Sequence, residues 1–551
     1  MGKSGREALD ELRYWGHDPE LNPLDALMWR TERPPANSWT GVVLMIFDSA
    51  PKWAHVVEAH EWALNVVPRF MDKVVEPLIP VGPPVWTRDP NFDLSYHLRR
   101  VRLPRPGSMR QLLEIAQTQG VIPLDRNRPP WVGLFVEGLE GGRCAYILQA
   151  HHVLMDGAGA TQLFGRIMGR RRESHPGYLP EWTDKRPTFT PAQATSSGIS
   201  RVVKNIPAAA GKVGAAVAGA TLNPLRAAKY ARSAARVVAP QSDTLPDSVK
   251  GGARTAWRFA VLECELTDLK RAGAAAGGTV NDAFVSAVLG GLREYYKSQG
   301  TDLPDIPISM PVSVRRKDDQ MGGNRFTGAF FSAPAGTKDP AERIRILHDR
   351  VLAVRNEPAL DVMGSVTPLL NFAPSAVVTT ALQQLTTSAL LTTSSWPGLT
   401  EPAYVAGASF DKMFVFGPLP GTSMCAALCS HVGTCCIGIN ADGAAFPNID
   451  SLWAAMQQGL DQSTRLGQVI GQQLPRPGTR SAKTVVQDPG PVLHAPNRAD
   501  IGIAPGVVAP KLNRRYARSP TGSARTALSI SVEVRGPGCG RLLPPGPRAC
   551  T

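Results

Sequence analysis

Several features that identify common classes of protein are absent from this sequence. There is no apolar N-terminal segment of signal-peptide type, and 8 cysteines are few for 551 residues, so we expect free thiols in a reducing cytoplasm. Arg6 stands where a myristoylation signal requires Ser or Thr, and no lipid anchor is predicted. The GxxxxGK[ST], GxSxG and HExxH motifs are also missing. The enzyme classes that depend on those motifs therefore lose support.

Long hydrophobic segments are missing as well. Residues 362–400 and 414–441 carry no charged side chain, and both are long enough to be tested as membrane spans. The first is rich in Thr and Ser, and its apolar residues between Val378 and Ala389 recur at helical spacing, which predicts a core helix. The second is interrupted by prolines and glycines, and predicts buried strands.

Positive charge is unevenly distributed along the chain. The net charge is +14, of which the tail at 475–551 contributes +9 and residues 201–239 contribute +7, leaving −2 for all other residues. A near-neutral body argues against a nucleic-acid enzyme. Residues 201–239 have two interpretations, a solvated linker helix or a segment lying along an anionic bilayer, where each basic side chain contributes on the order of 1 kcal/mol.

Composition divides the chain into four parts. Residues 1–190 alternate short apolar runs with helical patterns, which indicates a mixed α/β domain. Residues 191–250 form an Ala-rich basic linker, and residues 251–470 form a second α/β domain. Residues 471–551 are rich in Pro, Gly and Arg and are predicted to be disordered.

Local patterns also predict individual elements. A tight hairpin is expected around residues 440–443, because Asp442-Gly443 favours the positive φ angles of such a turn. Periodicity predicts strands at 41–47, 131–136, 144–150 and 306–314, and helices at 53–67 and 281–297.

The stretch AYILQAHHVLMDGAG, residues 145–159, is the most informative for chemistry. An apolar strand ends in His151 and His152, and Asp156-Gly157 follows four residues later. Because histidine titrates near neutral pH, a neutral imidazole can take a proton from a hydroxyl that attacks an acyl carbon, an effect of about 10²- to 10⁴-fold. We predict His152 as this general base.

The other residues of the motif receive different roles. Alternation along the strand points His151 and His152 to opposite faces, so His151 is predicted to be structural. Asp156 either orients the imidazole or pairs with an arginine to hold the loop, and the second role is favoured. Gly157 lacks a side chain and is expected to leave room for a substrate beside the base.

The HHxxxDG pattern resembles the signature of the CoA-dependent acyltransferase superfamily. Further segments narrow the resemblance, over roughly residues 15–465, to the bacterial wax ester synthase/diacylglycerol acyltransferase family. Those segments are PLDA at 23–26, FDLSYH at 92–97, LDR and PPW within 124–131, ND at 281–282, PVSVR at 311–315 and GN at 323–324.

The resemblance implies a fold and a reaction. Two chloramphenicol-acetyltransferase-like α/β domains, each a mixed sheet with helices, would face each other across an active-site channel. A long-chain fatty acyl group would pass from acyl-CoA to diacylglycerol or a long-chain alcohol, with His152 as base. Acyl-CoA would be a co-substrate, with no separate cofactor or metal. The protein would be cytoplasmic and peripherally associated with the inner face of the membrane or with lipid inclusions.

The resemblance also implies substrate-binding residues, namely Asn281, Ser394, Ser395 and Trp131. An oxyanion donor is expected near Asn281 or within TSSWPG at 393–398. The family commonly has TSNVPG there, so Ser395 and the following Trp replace Asn and Val. This departure is expected to reshape the acyl channel or to lower activity.

Alternatives remain at this point. Within the superfamily, the acceptor would be another hydroxyl compound; from a different class, the chain would be a weakly active lipid-surface binder. A zinc site is disfavoured, because the candidate ligands lie in a strand-like pattern without a CxxC pair, where cysteine packs well in a core. Those candidates are Cys425, Cys429, His431, Cys435 and Cys436.

Overall fold

The structure of the protein is a computed structural model. The residues that it describes lie within a compact unit spanning residues 1–496. They are residues 11–173 (without 13, 35–36 and 80–81), 188–201, 256–315, 322–357 and 389–473. Residues 203–204, 228–229, 232–233, 367 and 378–380 are described in addition.

Two six-stranded sheets dominate the described residues. The first has the order β11-β12-β1-β6-β5-β4 and the second β7-β14-β13-β10-β8-β9, while β2 and β3 form a separate pair. The strands are β1 (Thr40–Phe47), β2 (Asp72–Val75), β3 (Val85–Arg88), β4 (Leu98–Arg102), β5 (Trp131–Leu139), β6 (Arg143–His151), β7 (Trp257–Glu265), β8 (Ile306–Ser313), β9 (Phe326–Ala333), β10 (Leu391–Pro397), β11 (Ala403–Val405), β12 (Ala408–Phe416), β13 (Met424–His431) and β14 (Thr434–Asp442).

Helices pack against these sheets, and several begin at side chains that cap their free N–H groups. Ser108 and Thr279 each form a capping box at the start of their helices. The helices are α1 (Pro23–Thr31), α2 (Trp53–Val66), α3 (Leu94–His97), α4 (Met109–Val121), α5 (Gly157–Ile167), α6 (Leu266–Ala275), α7 (Val280–Ser298), α8 (Pro340–Arg355) and α9 (Ile449–Gln473), with 3₁₀ turns at Pro68–Met71, Glu140–Gly142 and His152–Leu154.

The first sheet positions the histidine motif. β1 and β6 pair antiparallel, with Thr40 opposite His151. β5 pairs with the other edge of β6, and places Trp131 opposite Ala150. Because β6 has a neighbour on each side, its end is fixed where the histidines begin.

The two sheets do not follow the predicted boundary at residue 250. β11 and β12 come from the second half of the sequence, yet β12 pairs antiparallel with β1 of the first sheet. Phe416 of β12 stacks on Phe259 of β7 with 4.0 Å between ring centroids. A hydrophobic cluster that includes both residues therefore joins the two sheets. The partition into residues 1–190 and 251–470 needs this correction, because a strand that crosses between sheets leaves no compositional signal.

The predicted hairpin at Asp442-Gly443 is wrong. Asp442 ends β14, and its carboxylate accepts a hydrogen bond from the Ala256 N–H at 3.2 Å. The tight turn lies at the other end of β14, where Val432 (φ 43°) and Gly433 (φ 90°) join β13 to β14. Two consecutive positive φ angles suit the right-handed twist of a two-residue hairpin.

The remaining predictions have mixed outcomes. The charge-free segment 414–441 forms buried strands, as predicted. The predicted core helix is described only at 378–380 and Ala389; most of segment 201–239 and the tail from residue 474 lie outside the described residues. Among the described residues, no helix combines the length and apolar composition that a membrane-spanning segment needs.

Candidate active site

The histidine motif forms a turn between β6 and α5. β6 ends at His151, and the 3₁₀ turn that follows starts with His152, whose backbone N–H donates to the Trp39 carbonyl at 2.9 Å. Asp156 is the N-cap of α5 and accepts from the Gly159 N–H at 2.7 Å. The motif is therefore held at one end by a backbone hydrogen bond and at the other by the side-chain cap of Asp156.

Asn324, from the segment before β9, contacts the imidazole of His152. Its Oδ1 lies 2.8 Å from His152 Nδ1, and its Nδ2 lies 2.6 Å from the His152 backbone carbonyl. A carbonyl oxygen only accepts, so the group facing it must be the amide Nδ2, and Oδ1 must face the ring. The ring nitrogen Nδ1 then carries the proton, and Nε2 keeps its lone pair.

The environment of His152 favours the neutral ring. Burial lowers the pKa of His152 below its ordinary value of 6.5, while the hydrogen bond with Asn324 and the charge of Asp156 oppose this shift. The residue is nevertheless only half-buried, and Phe326 meets its ring edge-on at 5.6 Å. A neutral, partly accessible imidazole whose Nε2 has no hydrogen-bond partner in the described part of the chain can accept a proton.

Asp25 in α1 holds Asn324 from the other side. One oxygen of its carboxyl group accepts from Asn324 Nδ2 at 2.5 Å, and the other accepts from Asn22 Nδ2 at 2.6 Å. Burial raises the pKa of Asp25 well above its ordinary value, although the bond with Asn324 opposes the shift. Asn324, from the second half of the chain, is thereby fixed by two residues of the first half.

Asp156 pairs with an arginine, as the favoured interpretation predicted. Arg315 Nη2 lies 3.0 Å from Asp156 Oδ2, and the same oxygen accepts from the Arg325 N–H at 3.0 Å. Arg315 also donates to the Gly323 carbonyl at 2.9 Å. The ion pair thus fastens the histidine motif to the segment that carries Asn324.

His151 is buried and contacts Glu32. Its Nε2 lies 3.1 Å from Glu32 Oε2, and its Nδ1 accepts from the Val153 N–H at 3.1 Å. Burial raises the pKa of Glu32, but His151, Arg126 and the Trp39 N–H together lower it below its ordinary value. These contacts agree with the structural role predicted for His151.

The space beside Gly157 is filled, which corrects the expectation that it is open to substrate. A Cβ atom at Gly157 would lie 2.7 Å from the indole ring of Trp396. The nearest atoms belong to the fused rings of the indole, which cannot bend out of the way. Position 157 must therefore be glycine for Trp396 to pack this close to the backbone. Trp396 Nε1 is buried without a hydrogen-bond partner among the described residues.

Asn281 and Ser395 lie together. Ser395 Oγ donates to Asn281 Oδ1 at 2.6 Å, and Asn281 Nδ2 has a weak contact of 3.8 Å with the Met310 sulfur. The capping bonds of α7 come from Thr279 and Asp282, so Asn281 is not the capping residue. Its amide N–H groups therefore remain available for a stronger acceptor.

Two further predicted residues have different surroundings. Ser394 precedes Ser395 in β10, so strand alternation places it on the face that carries Trp396. Trp131 is buried: its Nε1 donates to the Phe70 carbonyl at 2.8 Å and its ring stacks on His97 at 4.8 Å. These contacts give Trp131 a packing role, and its substrate contact stays a prediction.

Comparison with models of protein families identifies the family to which this chain belongs. The wax ester synthase/diacylglycerol acyltransferase catalytic domain matches residues 21–284, and the C-terminal domain of the same family matches residues 322–463. A protein of Mycobacterium tuberculosis strain H37Rv, named provisionally as a diacylglycerol O-acyltransferase, is 32% identical over 459 residues, which cover 80% of this chain and 91% of the relative. The chain belongs to the wax ester synthase/diacylglycerol acyltransferase family. The predicted family is confirmed.

Solved structures support the fold of this family member. The wax ester synthase/diacylglycerol acyltransferase from Marinobacter aquaeolei VT8 matches with a TM-score of 0.55 at 20% identity, covering 82% of this chain and all of that one. The first condensation domain of the CDA synthetase matches with a TM-score of 0.53 at 14% identity, covering 82% of this chain and 96% of that chain. The predicted two-domain α/β fold class and the predicted class of enzyme, an acyltransferase, are confirmed.

The four cysteines that were weighed as zinc ligands pack in the core of this acyltransferase. Cys425, Cys429, Cys435 and Cys436 are buried, and both ring nitrogens of His431 lie near backbone carbonyls. Within the part of the chain that the structure describes, no group of three His, Cys, Asp or Glu side chains is placed to hold a metal ion.

The sequence reasoning missed the roles of four residues that support this acyltransferase site. Asn324, Arg315 and Asp25 lie in segments that carry the family resemblance, but only distant contacts give them their functions. Glu32 lies in no recognised motif, and its position just after α1 gave no signal.

Proposed function

We propose that this family member transfers a long-chain fatty acyl group from acyl-CoA to the free hydroxyl of diacylglycerol, and to long-chain alcohols as secondary acceptors. The names of its relatives support diacylglycerol as the acceptor. The observation that carries the mechanism is the pair of contacts between Asn324 and His152, which leaves Nε2 as the unprotonated ring nitrogen.

In the proposed reaction, His152 Nε2 takes the proton of the acceptor hydroxyl as its oxygen attacks the thioester carbonyl. A C–O bond forms, and the carbonyl electrons move to oxygen. The tetrahedral intermediate then collapses, the C–S bond breaks, and the departing sulfur takes the proton from Nε2. The ester and CoA thiol are the products, His152 is regenerated, and no acyl-enzyme is required.

Asn281 is the proposed donor to the tetrahedral oxyanion. Among the described residues its Nδ2 has only the weak sulfur contact, while Ser395 holds its Oδ1 and so fixes the orientation of the amide. A fixed donor aimed at developing negative charge typically contributes about 10²- to 10³-fold. Ser395 then acts as a positioning residue.

We further propose that the reaction takes place at a lipid surface in the cytoplasm, on the inner face of the membrane or on lipid inclusions. Diacylglycerol and its acylated product are apolar and gather in such phases. A peripheral attachment is compatible with the described helices, none of which has the character of a membrane span.

The decisive experiment compares wild type with His152→Asn and His152→Ala. The asparagine keeps a donor near Asn324 Oδ1 but removes Nε2, so it separates the base from the hydrogen-bond network. CoA thiol release and the acylated product are measured with long-chain acyl-CoA and dispersed diacylglycerol. Both variants should fold and lose about 10²-fold or more of kcat. Wild-type activity in a folded variant would contradict the proposal, and a preferred acceptor other than diacylglycerol would correct it.

A further inference from the structure

A cavity of about 290 Å³ lies at the C-terminal end of α1, where Arg30 and the residues that follow the helix line it. Its wall is rich in charged side chains, and apolar residues from the loop after α4 complete it. Lining residues include Arg30, Arg33, Arg126, Glu32, Glu76 and Leu124. The proposed reaction does not use this cavity.

Exposed apolar side chains concentrate around it. Nine large apolar side chains are exposed among the described residues. Six of them lie in segments that line the cavity or are joined to its wall. Single exposed apolar residues are normal on any protein, but a concentration of this kind marks an interaction site. The six are Leu78, Ile79, Val121, Ile122, Ile199 and Val203.

Hydrogen bonds and close contacts join these segments to the cavity wall. The Leu78 N–H donates to Thr195 Oγ1 at 2.8 Å, which holds the loop after β2 against the helical residues 191–201. Arg30 Nη2 donates to the Gly82 carbonyl at 2.5 Å, and a Cβ at Gly82 would lie 3.1 Å from Gly198.

The loop after α4 forms another part of the cavity wall. Val121 and Ile122 lead directly into Pro123 and Leu124, which line the wall. Exposed apolar side chains therefore lie in several separate segments that are joined to the charged wall.

The charge of the cavity favours an anion. Three guanidinium groups face two carboxylates, so the lining carries one net positive charge. Arg126 lies 2.8 Å from Glu76 and 3.8 Å from Glu32, and the charge of Glu76 also acts on Arg30. Arg33 is exposed, and its hydrogen bonds go to backbone carbonyls. Guanidinium groups match the oxygen geometry of phosphate.

We propose that this surface, the six apolar residues with the exposed Arg33, docks the enzyme on an anionic phospholipid surface. The apolar side chains enter the interfacial region, while Arg33 meets lipid phosphates at the cavity. The inference rests on the proposed use of a lipid substrate. It assigns the attachment mainly to the folded body, since Val203 alone of these residues lies within residues 201–239.

The surface also adjoins the catalytic motif. Glu32 lines the cavity, and its Oε2 lies 3.1 Å from His151, the residue before the proposed base. Docking through this face would therefore bring the lipid surface close to the loop that carries His152.

The test measures sedimentation of the full-length protein with vesicles, in the absence of acyl-CoA. One set of vesicles is phosphatidylcholine and the other an equimolar mixture with phosphatidylglycerol. The variant Leu78→Asn/Ile122→Asn should bind both sets about tenfold more weakly, because less apolar surface is buried. Arg33→Gln should bind the anionic vesicles about fivefold more weakly and leave binding to phosphatidylcholine unchanged.

The chain offers matched controls. Leu352 and Val432 are 40% and 50% exposed but lie in α8 and in the β13–β14 turn, so Leu352→Asn/Val432→Asn should bind like wild type. Arg465, 74% exposed in α9, provides Arg465→Gln as the control for charge.

Two results would overturn the proposal. One is wild-type binding by the Leu78/Ile122 variant, which would leave attachment to another segment; the other is an equal loss in the control variants. Turnover of detergent-dispersed diacylglycerol, measured in parallel, should be unchanged in the docking variants. Absence of turnover in wild type would refute the proposed function. The vesicle assay would still test the docking surface, because it does not depend on turnover.

Discussion

Nδ1 of His152 lies 2.8 Å from Oδ1 of Asn324, although the two residues are 172 positions apart in the chain. The Nδ2 atom of the same amide donates to the His152 carbonyl, which can only accept, and to the buried carboxyl group of Asp25. These two contacts determine the orientation of the amide. Through Asn324, residues of both halves of the chain set the protonation pattern of one imidazole.

Replacing Asn324 with alanine should lower kcat on the order of 10²-fold, because the ring loses the partner that fixes its proton on Nδ1. The hydrogen bond raises the pKa of His152, so its loss should also move the acidic limb of the pH profile to lower pH. Steady-state kinetics across pH measures both effects. Asn65→Ala, at an exposed site in α2, is the control; an equal loss there would contradict the assignment.

The ion pair between Arg315 and Asp156 should contribute strongly to stability. Both side chains are about nine-tenths buried, so Arg315→Ala leaves a carboxylate without its charged partner and should lower the free energy of unfolding by about 3–5 kcal/mol. Denaturant titration measures this change. Arg345→Ala, from a surface pair with Glu342, should change it by less than about 1 kcal/mol. Similar losses in both variants would contradict a special role for the buried pair.

Gly157→Ala should be destabilising because of Trp396. The added methyl would meet the indole ring at 2.7 Å, and overpacking of this kind typically costs about 1–3 kcal/mol. In a Trp396→Val background the same substitution should cost much less. A double-mutant cycle on the free energy of unfolding tests the coupling. Equal costs in both backgrounds would show that the indole does not limit the space.

Asn281→Ala should reduce kcat about 10²- to 10³-fold with a smaller change in KM, since an oxyanion donor acts mainly in the transition state. Ser395→Ala should have a smaller effect, because it only frees the amide that Ser395 orients. The two variants are compared by initial rates at saturating acyl-CoA. A change confined to KM would assign Asn281 to substrate binding instead.

The charge of Glu32 should stabilise the fold in a pH-dependent way. Its pKa is lower in the folded protein than its ordinary value of 4.5, so its contribution is present above pH 4.5 and is lost as the pH falls through the folded pKa. The stability difference between wild type and Glu32→Gln should therefore shrink on acidification. Thermal melting across pH measures this, with the exposed Glu61→Gln as control. A difference that grows below pH 4.5 would contradict the sign.

Local patterns were sufficient for the elements that carry the motif. The apolar run before His151 predicted β6, and the helical spacing after Thr279 predicted α7, because each pattern depends on neighbouring residues alone. Contacts between distant segments were not predictable in this way. The pairing of β12 with β1 and the indole of Trp396 against Gly157 depend on how the whole chain packs.

The Asp442-Gly443 error has the same cause. The dipeptide is suited to a hairpin, but burial of the Asp442 carboxylate beside Ala256 places it at the end of the last strand instead. A local propensity was overridden by a tertiary hydrogen bond.

The pH dependence of kcat/KM for wild type and His152→Asn tests the central claim most directly. If His152 is the base and its pKa is lowered, kcat/KM of the wild type should fall on the acidic side with a midpoint below pH 6.5. The residual activity of His152→Asn should not show this acidic limb. A wild-type rate without such a limb, or a limb that persists unchanged in His152→Asn, would show that another group takes the proton.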